Sequence, residues 1–198
     1  MSFRKEKKLN VSVAEMNLLK NELSQRGLTK LYESRTITSV YFDTKDLQMY
    51  YESEEGVLPR EKIRIRWYDN NQSKFLLERK ISSLEGRYKT SKKITPQDRA
   101  FLYQSGIHSH NYGHLHGVMQ VRYDRSYFTY KNVRVTFDEN IIYQSVKSAV
   151  KIRDTECVME VKAPHEYTDD DFLAQFGISE RRFSKYARSC QLTKYSLI

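Results

Sequence analysis

The sequence contains several strand-length segments in which charged and apolar residues alternate along the chain. In residues 62–68, one lysine and two arginines alternate with two isoleucines and a tryptophan. Successive side chains of a β-strand point to opposite faces of the sheet, so this alternation places the cations on one face. A similar period occurs in residues 75–80, 121–124, 133–138 and 159–162. The sequence therefore predicts a sheet with one charged face and one apolar face.

Turn and capping signals divide the rest of the chain into strands and a few helices. Ser12 opens a capping box, Pro96 stands at a first helical position, and acidic residues follow Thr168. These signals predict helices near 12–27, 96–105, 168–177 and 179–190. The predicted strands are 3–9, 37–43, 61–69, 74–81, 86–93, 118–129, 132–143 and 155–163.

Eight strands with so few helices favour an α+β fold built on an antiparallel sheet that curls toward closure. An ordinary sheet with one wet face explains any single strand, but here nearly every strand carries a cation on its charged face. If that face turns inward, the apolar faces point outward and the helices cover them. We therefore expect a closed or nearly closed eight-stranded antiparallel β-barrel with helices packed outside. Its basic interior would be stabilised by a polyanion, at roughly 1.5–3 kcal/mol for each charge-assisted hydrogen bond.

The overall charge agrees with a polyanionic partner. Lys and Arg number 34 against 25 Asp and Glu, which gives a net charge of +9. This balance leaves nucleic acid, anionic lipid and a phosphate chain open as partners. The 15 tyrosines could stack on nucleic-acid bases, but most lie in strand segments where aromatic residues serve packing.

The length of 198 residues suits a single domain over 1–198, and no segment approaches the ~20 apolar residues of a membrane span. Residues 4–8 are all charged where a signal peptide would have its apolar core. The two cysteines, Cys157 and Cys190, give no disulfide framework. A cytoplasmic location is therefore expected.

The ordered series of motifs resembles the VTC domain (vacuolar transporter chaperone, polyphosphate polymerase) of the triphosphate tunnel metalloenzymes. The segment Lys-Ile-Arg-Ile-Arg-Trp-Tyr at 62–68 looks very like the family's K-x-R-x-R-W-Y. The resemblance covers almost the whole chain. Its other motifs are Arg4-x-Glu6-x-Lys8, Ser-Val-Tyr-Phe-Asp-Thr at 39–44, Leu-Glu-Arg-Lys at 77–80, Tyr88-Lys89, Arg-Tyr-Asp-Arg at 122–125, Arg-Val-Thr-Phe-Asp at 134–138, Met-Glu-Val-Lys at 159–162 and Arg-Phe-Ser-Lys-Tyr at 182–186.

This resemblance implies a set of functional residues. Glu160 would bind Mn²⁺ or Mg²⁺, and Lys80, Arg122 and Glu160 would serve catalysis. Glu6 and Glu78 would orient neighbouring cations or join the metal ligands, and orientation is the favoured role. The residues implied for phosphate binding are Lys8, Arg64, Arg66, Lys80, Lys89, Arg122, Arg134, Arg182 and Lys185.

The implied activity is transfer of the terminal phosphate of ATP, or another nucleoside triphosphate, to a growing polyphosphate chain. Such chemistry depends on positioning and charge neutralisation more than on covalent help from the protein. An inorganic triphosphatase and a non-catalytic binder of polyphosphate or nucleotide are alternatives in the same fold. A basic RNA-binding sheet is a further alternative, but RNA sheets need no metal-binding carboxylate such as Glu160, so no nucleic-acid partner is expected.

Two details of the sequence qualify the comparison. Arg4 stands where the related cyclases and thiamine-triphosphatases have the first glutamate of E-x-E-x-K, which weakens those two activities as candidates. Four histidines, His108, His110, His114 and His116, fall between a predicted helix and strand. Their spacing matches no closed zinc motif and no cysteine is near, so a solvated loop is expected there.

Overall fold

The computed structural model describes residues 4–164 and 183–194, which form an α+β fold with a large antiparallel sheet. The helices in these residues are α1 (Val13–Gln25), α2 (Gln48–Glu55), α3 (Pro96–Ser105) and α4 (Lys185–Lys194). The strands are β1 (Arg4–Ser12), β2 (Thr29–Asp43), β3 (Arg60–Tyr68), β4 (Phe75–Ser83), β5 (Gly86–Ile94), β6 (Ile107–Ser109), β7 (Gly113–Tyr130), β8 (Val133–Ser145), β9 (Lys151–Arg153) and β10 (Glu156–Pro164).

The hydrogen-bonded strand order is β1-β10-β8-β7-β2-β3-β4-β5, with β6 beside β7 and β9 beside β8. The order ends at β1 and β5, so the sheet is open in the part of the chain that the structure describes. The closed or nearly closed eight-stranded barrel is therefore not confirmed. β5 is exposed over most of its length and carries Arg87, Lys89, Lys92 and Lys93. Charged side chains on an edge strand disfavour pairing with another strand, which accounts for the open edge.

The described residues group into two compact units, each with its own apolar core. The first unit lies within Met1–Arg35, Tyr123–Ile141 and Arg153–Phe183. Here β1 pairs with β10, and β10 pairs with β8. α1 covers the apolar face of this ladder and begins at the predicted capping box, in which Ser12 and Glu15 exchange hydrogen bonds with each other's backbone N–H.

The second unit lies within Thr36–Arg122, Ile142–Ile152 and Ser184–Ile198. Its ladder runs from β2 through β3 and β4 to β5. One face of this ladder is apolar and packs with Met49 of α2 and partly buried residues of α3. The core residues contributed by the strands are Val40, Phe42, Ile63, Ile65, Trp67, Phe75 and Ile94.

Each of the eight strands predicted from the sequence is present. Most ends differ by three residues or fewer, but β2 starts eight residues and β7 five residues earlier than predicted. The structure adds α2 and the short strands β6 and β9, which the sequence signals missed. The predicted helix at 168–177 lies outside the described residues, and the last helix is observed at Lys185–Lys194. The assignment of the whole chain to a single domain stays a prediction. None of the described helices has the length and apolar character needed to cross a membrane.

Candidate functional site

The second unit carries a cationic face on strands β3, β4 and β5. The strand register pairs Lys62 with Lys80, and Lys80 with Lys89, so three lysines form a row across the sheet. Paired residues of antiparallel strands share a face, and neighbouring strands lie about 4.8 Å apart. The two adjacent rows are Tyr41, Arg64, Glu78 and Ser91, and Ser39, Arg66, Leu76 and Lys93. We call the surface defined by Lys62, Arg64, Arg66, Lys80, Lys89 and Lys93 the cationic face.

Glu78 lies in the middle of the cationic face and balances part of its charge. Its carboxylate accepts a hydrogen bond from Arg64 Nε at 2.7 Å, accepts another from Lys89 Nζ, and lies 3.7 Å from Arg66 Nη1. Burial alone would raise the pKa of Glu78, but the charges of Arg64 and Arg66 outweigh burial and lower the pKa to about 2. Glu78 is therefore ionised at neutral pH, and its contacts fix the orientation of the surrounding cations.

Tyr41 lies beside the cationic face, and its pKa is lowered by the positive charges there. Its hydroxyl oxygen accepts a hydrogen bond from Arg64 Nη1 at 3.0 Å. Burial favours the neutral phenol, yet the charges of Arg64 and Arg66 outweigh this effect and lower the pKa of Tyr41 to about 8. Lys185, at the start of α4, acts in the same direction. The sequence comparison did not single out Tyr41, although it follows Val40 in the quoted motif at 39–44.

The first unit holds a different set of charges, in which cations and carboxylates are paired. Arg125 of β7 grips Asp138 of β8 with two parallel contacts, Nε to Oδ1 at 2.5 Å and Nη2 to Oδ2 at 2.7 Å. The same Nη2 atom lies 3.2 Å from Glu160 Oε2, and Lys162 Nζ lies 2.7 Å from Glu160 Oε1. We call the set Glu6, Lys8, Arg125, Asp138, Glu160 and Lys162 the paired cluster.

Glu160 is buried, with 5% of its surface exposed, and remains ionised. Burial would raise the pKa of this carboxyl, but the charges of Arg125, Lys8 and Lys162 hold the pKa of Glu160 well below its usual range. Glu6 extends the cluster, since its carboxylate lies 3.0 Å from Lys8 Nζ and 3.9 Å from Lys162 Nζ. The strand register supports this arrangement because Lys8 pairs with Glu160 and Glu6 pairs with Lys162.

Two polar atoms beside the paired cluster are buried without a hydrogen-bond partner among the described residues. They are Thr136 Oγ1 and Arg134 Nε, both on β8. The register pairs Thr136 with Glu160 and Arg134 with Lys162, so both side chains lie on the face that carries the cluster. Buried polar groups normally have partners, and these two atoms therefore mark a candidate ligand surface.

A divalent metal at the paired cluster would have two protein carboxylates as ligands and would need phosphate oxygens to complete its coordination. No group of three His, Cys, Asp or Glu side chains arranged to hold a metal occurs within residues 4–164 and 183–194. Glu160 and Glu6 nevertheless lie on one face of the first unit, and the carboxylate of each forms an ion pair. Mg²⁺ is commonly bound through one or two carboxylates together with substrate phosphates, and these residues meet that requirement.

The structure brings most of the expected site residues into these two sets. The cationic face contains Arg64, Arg66, Lys80 and Lys89, and the charge of Lys185 reaches Tyr41 beside it. The paired cluster contains Lys8 and Glu160, with Arg134 beside them. Arg182 lies outside the described residues.

Arg122 is the expected residue that does not join either set. It is exposed on β7, and the arginine of this strand that contacts Glu160 is Arg125. The two arginines are three positions apart, so they fall on opposite faces of the strand. Arg125 has the parity of the buried Tyr123 and Tyr127, and its burial is compensated by Asp138.

The histidine-rich segment is a β-hairpin, so the prediction of a loop was wrong. β6 pairs with the start of β7, with His108 opposite His114. The ring centroids of His114 and His116 lie 4.6 Å apart. The pKa of His116 is lowered mainly by burial and secondly by the charge of His114. No third metal-binding side chain joins this pair among the described residues.

Comparisons with known proteins agree with the motifs. The family model described as the VTC domain matches residues 3–194. A proposed adenylate cyclase from Bacillus halodurans is similar in structure, with a TM-score of 0.65, 16% identity, and coverage of 92% of this chain and 94% of that protein. The search of curated proteins found no match.

Two other solved structures share the fold. HpAC1 from Hippeastrum, a proposed adenylyl cyclase described as having a dominant triphosphatase activity, has a TM-score of 0.57 and 19% identity over 96% of each chain. The PH1012 protein from Pyrococcus horikoshii has a TM-score of 0.54 and 14% identity, over 93% of this chain and 99% of that one. At these identities the likeness concerns the fold alone.

Proposed function

The chain belongs to the VTC-domain family, and from this premise we propose that it is a metal-dependent polyphosphate polymerase. The reaction moves the terminal phosphoryl group of ATP to the end of a polyphosphate chain. The P–O bond to the β–γ bridging oxygen of ATP breaks, a bond to a terminal oxygen of the chain forms, and ADP leaves. A second nucleoside triphosphate, inorganic triphosphate or polyphosphate itself would bind through the same phosphate chemistry.

The observation that carries this proposal is the row of lysines on the cationic face. Lys62, Lys80 and Lys89 are directly paired across three strands, and like charges in such positions destabilise a sheet. The carboxylate of Glu78 neutralises only part of the charge, because Arg64 and Arg66 also contact it. A phosphate chain laid across the strands would add negative charge to this face and accept charge-assisted hydrogen bonds.

The cations divide by chemistry into two kinds of phosphate contact. Arg64 and Arg66 present planar forks that bind two phosphate oxygens at once, whereas Lys80 and Lys89 act as point charges. Glu78 keeps the forks in place. In the first unit, Arg134 and Lys8 provide further phosphate contacts. We assign to Arg125 part of the role implied for Arg122, since Arg125 contacts Glu160.

A divalent ion, Mn²⁺ or Mg²⁺, would be held by Glu160 with Glu6 as a second carboxylate. When bound, such an ion neutralises phosphate charge and bridges phosphate oxygens. The protein's own contribution is to keep Glu160 ionised, through the charges of Arg125, Lys8 and Lys162. Lys80, also expected to serve catalysis, is proposed as a stabiliser of the charge on the transferred group. The catalytic role that the family resemblance implies for Arg122 stays a prediction, because Arg122 joins neither charged set.

Hydrolysis of triphosphate is the second candidate function. HpAC1, which shares the fold, is described as having a dominant triphosphatase activity, and water competes with a phosphate acceptor wherever a site does not exclude it. The two reactions bind the same substrate and differ in the nucleophile. They are therefore distinguished by their products.

Incubation of the protein with ATP and Mn²⁺ tests the proposal, with orthophosphate, ADP and chain length measured in one sample. Metal-dependent formation of ADP and a ladder of long chains on a stained gel is the expected result. Stoichiometric orthophosphate from tripolyphosphate, without a ladder, would make the protein a triphosphatase. Binding without either product would leave a phosphate-chain receptor.

A matched pair of lysine variants ties the result to the cationic face. Lys89→Ala removes a cation of that face, while Lys92→Ala removes an exposed lysine of the same strand on the opposite face. We expect Lys80→Ala and Lys89→Ala to reduce chain synthesis and Lys92→Ala to leave it unchanged. Equal losses in the Lys89 and Lys92 variants would show that only the net charge of the strand matters.

A further inference from the structure

A buried carboxylate at the end of β2 has no role in the site described above. Asp43 is fully buried, and its oxygens accept hydrogen bonds from the backbone N–H groups of Thr44 at 2.7 Å and of Met49 and Tyr50 at 2.9 Å. The hydroxyl of Tyr186, in the first turn of α4, donates a further hydrogen bond to Asp43. A tyrosine distant in sequence is thereby tied to the start of α2.

Tyr186 also touches the cationic face. Its ring stacks on that of Tyr41, with ring centroids 5.0 Å apart and an interplanar angle of 16°. The hydroxyl oxygen of Tyr41 in turn accepts a hydrogen bond from Arg64 at 3.0 Å. A continuous path of contacts therefore runs from Asp43 through Tyr186 and Tyr41 to Arg64.

The residues that precede Tyr186 face the same cations. The hydroxyl of Ser184 accepts a hydrogen bond from Lys62 Nζ at 3.0 Å, and the charge of Lys185 is felt at Tyr41. The anchor at Tyr186 thus fixes the first turn of α4, where Lys185 is placed. Because the Asp43 carboxylate also accepts hydrogen bonds from backbone N–H groups in the first turn of α2, it offers the Tyr186 hydroxyl an acceptor in a fixed position.

We propose that Asp43 and Tyr186 are positioning residues that hold Lys185 and Arg64 in place for binding a triphosphate chain. This inference rests on the proposed function, because it takes phosphate as the ligand of the cationic face. Tyr186 acts through two routes: the backbone places its neighbour Lys185, and the stacked ring of Tyr41 supports the fork of Arg64. Asp43 acts through Tyr186 and does not itself contact phosphate.

The Tyr186→Phe variant tests the proposal because it keeps the stacked ring and removes only the hydroxyl. We expect the affinity for tripolyphosphate, measured by calorimetry without metal, to fall by about five- to tenfold. This is less than the loss of a direct hydrogen bond to phosphate, because the Tyr186 hydroxyl orients the cations and does not itself contact the ligand. Tyr103→Phe is the matched control. Tyr103 lies on α3 and packs against Phe42 behind the sheet, so its loss of a hydroxyl should leave the affinity unchanged.

A double-mutant cycle separates positioning from general loosening of the fold. In the Lys185→Ala background, Tyr186→Phe should lose at least half of its effect, because the lysine that it positions is gone. Asp43→Asn, which weakens the acceptor of the same hydrogen bond, should resemble Tyr186→Phe and add little to it. Full additivity of Tyr186→Phe and Lys185→Ala would overturn the proposal.

Tripolyphosphate binding by the wild-type protein distinguishes a failure of the positioning role from a failure of the proposed function. If the wild type binds tripolyphosphate and Tyr186→Phe binds it equally well, the positioning role is wrong while the proposed function stands. If the wild type binds no tripolyphosphate, both are overturned. Circular dichroism and the unfolding temperature of each variant show whether a loss of binding reflects a loss of folded protein.

Discussion

The two units of this protein combine the charges on their strand faces in opposite ways. In the paired cluster of the first unit, Arg125 is matched by Asp138 and Glu160, and Lys162 lies 2.7 Å from Glu160. On the cationic face of the second unit, Glu78 is shared by Arg64, Arg66 and Lys89. The first set is close to electrically balanced, and the second has an excess of positive charge.

This difference indicates a division of labour. A balanced, buried set of ion pairs is costly to disturb, because removing one partner leaves an uncompensated buried charge. Such a set suits a group that must stay ionised and fixed, as a metal-binding carboxylate must. Under the proposed function, the cationic face is the surface that binds a polyanion. Metal-dependent turnover and chain binding should therefore respond to different substitutions.

The largest expected effect is on catalysis, from Glu160→Gln. The amide keeps the shape of the side chain but loses the charge that holds a divalent ion. We expect Mn²⁺-dependent turnover to fall by roughly 100-fold or more, since a metal contributes several kcal/mol of charge stabilisation. Binding of tripolyphosphate without metal should largely survive, because the cationic face is intact. Full Mn²⁺-dependent activity in this variant would contradict the assignment of metal binding to Glu160 of the paired cluster.

Much of the fold was predictable because strand periodicity is a local signal. Each predicted strand is present, a capping box identified α1, and a proline at the first helical position identified α3. α2 was missed because its N-cap residue is Leu47, which makes no side-chain capping hydrogen bond and adopts a left-handed conformation with φ of 61°. The N–H groups of Met49 and Tyr50 donate instead to Asp43, which lies outside the usual capping position. The helix ends at Gly56, which is also left-handed, and this glycine is a sequence signal for the end of a helix. Sheet closure was not predictable, since it depends on pairing between strands far apart in the sequence.

The site residues were predictable on strands where cations alternate regularly with apolar residues. On β3 the cations alternate with apolar residues, so Arg64 and Arg66 fall on the cationic face as expected. On β7 the same rule favoured Arg122, because Arg125 shares its parity with two buried tyrosines. Arg125 is buried because Asp138 on β8 pairs with it, and that information lies in another strand.

An intermediate effect is expected on binding, from Arg64→Lys and Arg66→Lys. Lysine keeps the charge but loses the planar fork that contacts two phosphate oxygens. We expect each variant to bind tripolyphosphate about tenfold more weakly by calorimetry, in line with one lost charge-assisted hydrogen bond.

Arg79→Lys is the matched control for these two variants. Arg79 lies on the opposite face of the sheet, where its Nε is 2.8 Å from a carboxylate oxygen of Glu61. This change should leave tripolyphosphate binding unaltered. Unchanged affinity in both Arg64→Lys and Arg66→Lys would mean that the face binds anions through net charge alone, without arginine forks.

The smallest expected effect concerns Thr136, the hydroxyl beside Glu160 that is buried without a partner among the described residues. Thr136→Val replaces this hydroxyl with a methyl group of similar size. Leaving a buried hydroxyl unsatisfied costs about 1–3 kcal/mol, so the valine variant should unfold at a higher denaturant concentration than the wild type in the absence of ligand. If a bound phosphate or metal ligand completes the bonding of Thr136, the added stability on tripolyphosphate and Mn²⁺ binding should be smaller in the variant. Thr136→Ser retains the hydroxyl and should keep the ligand response of the wild type. A valine variant that is less stable without ligand would show that the hydroxyl is already satisfied in the free protein, and the paired cluster would then be complete without a substrate.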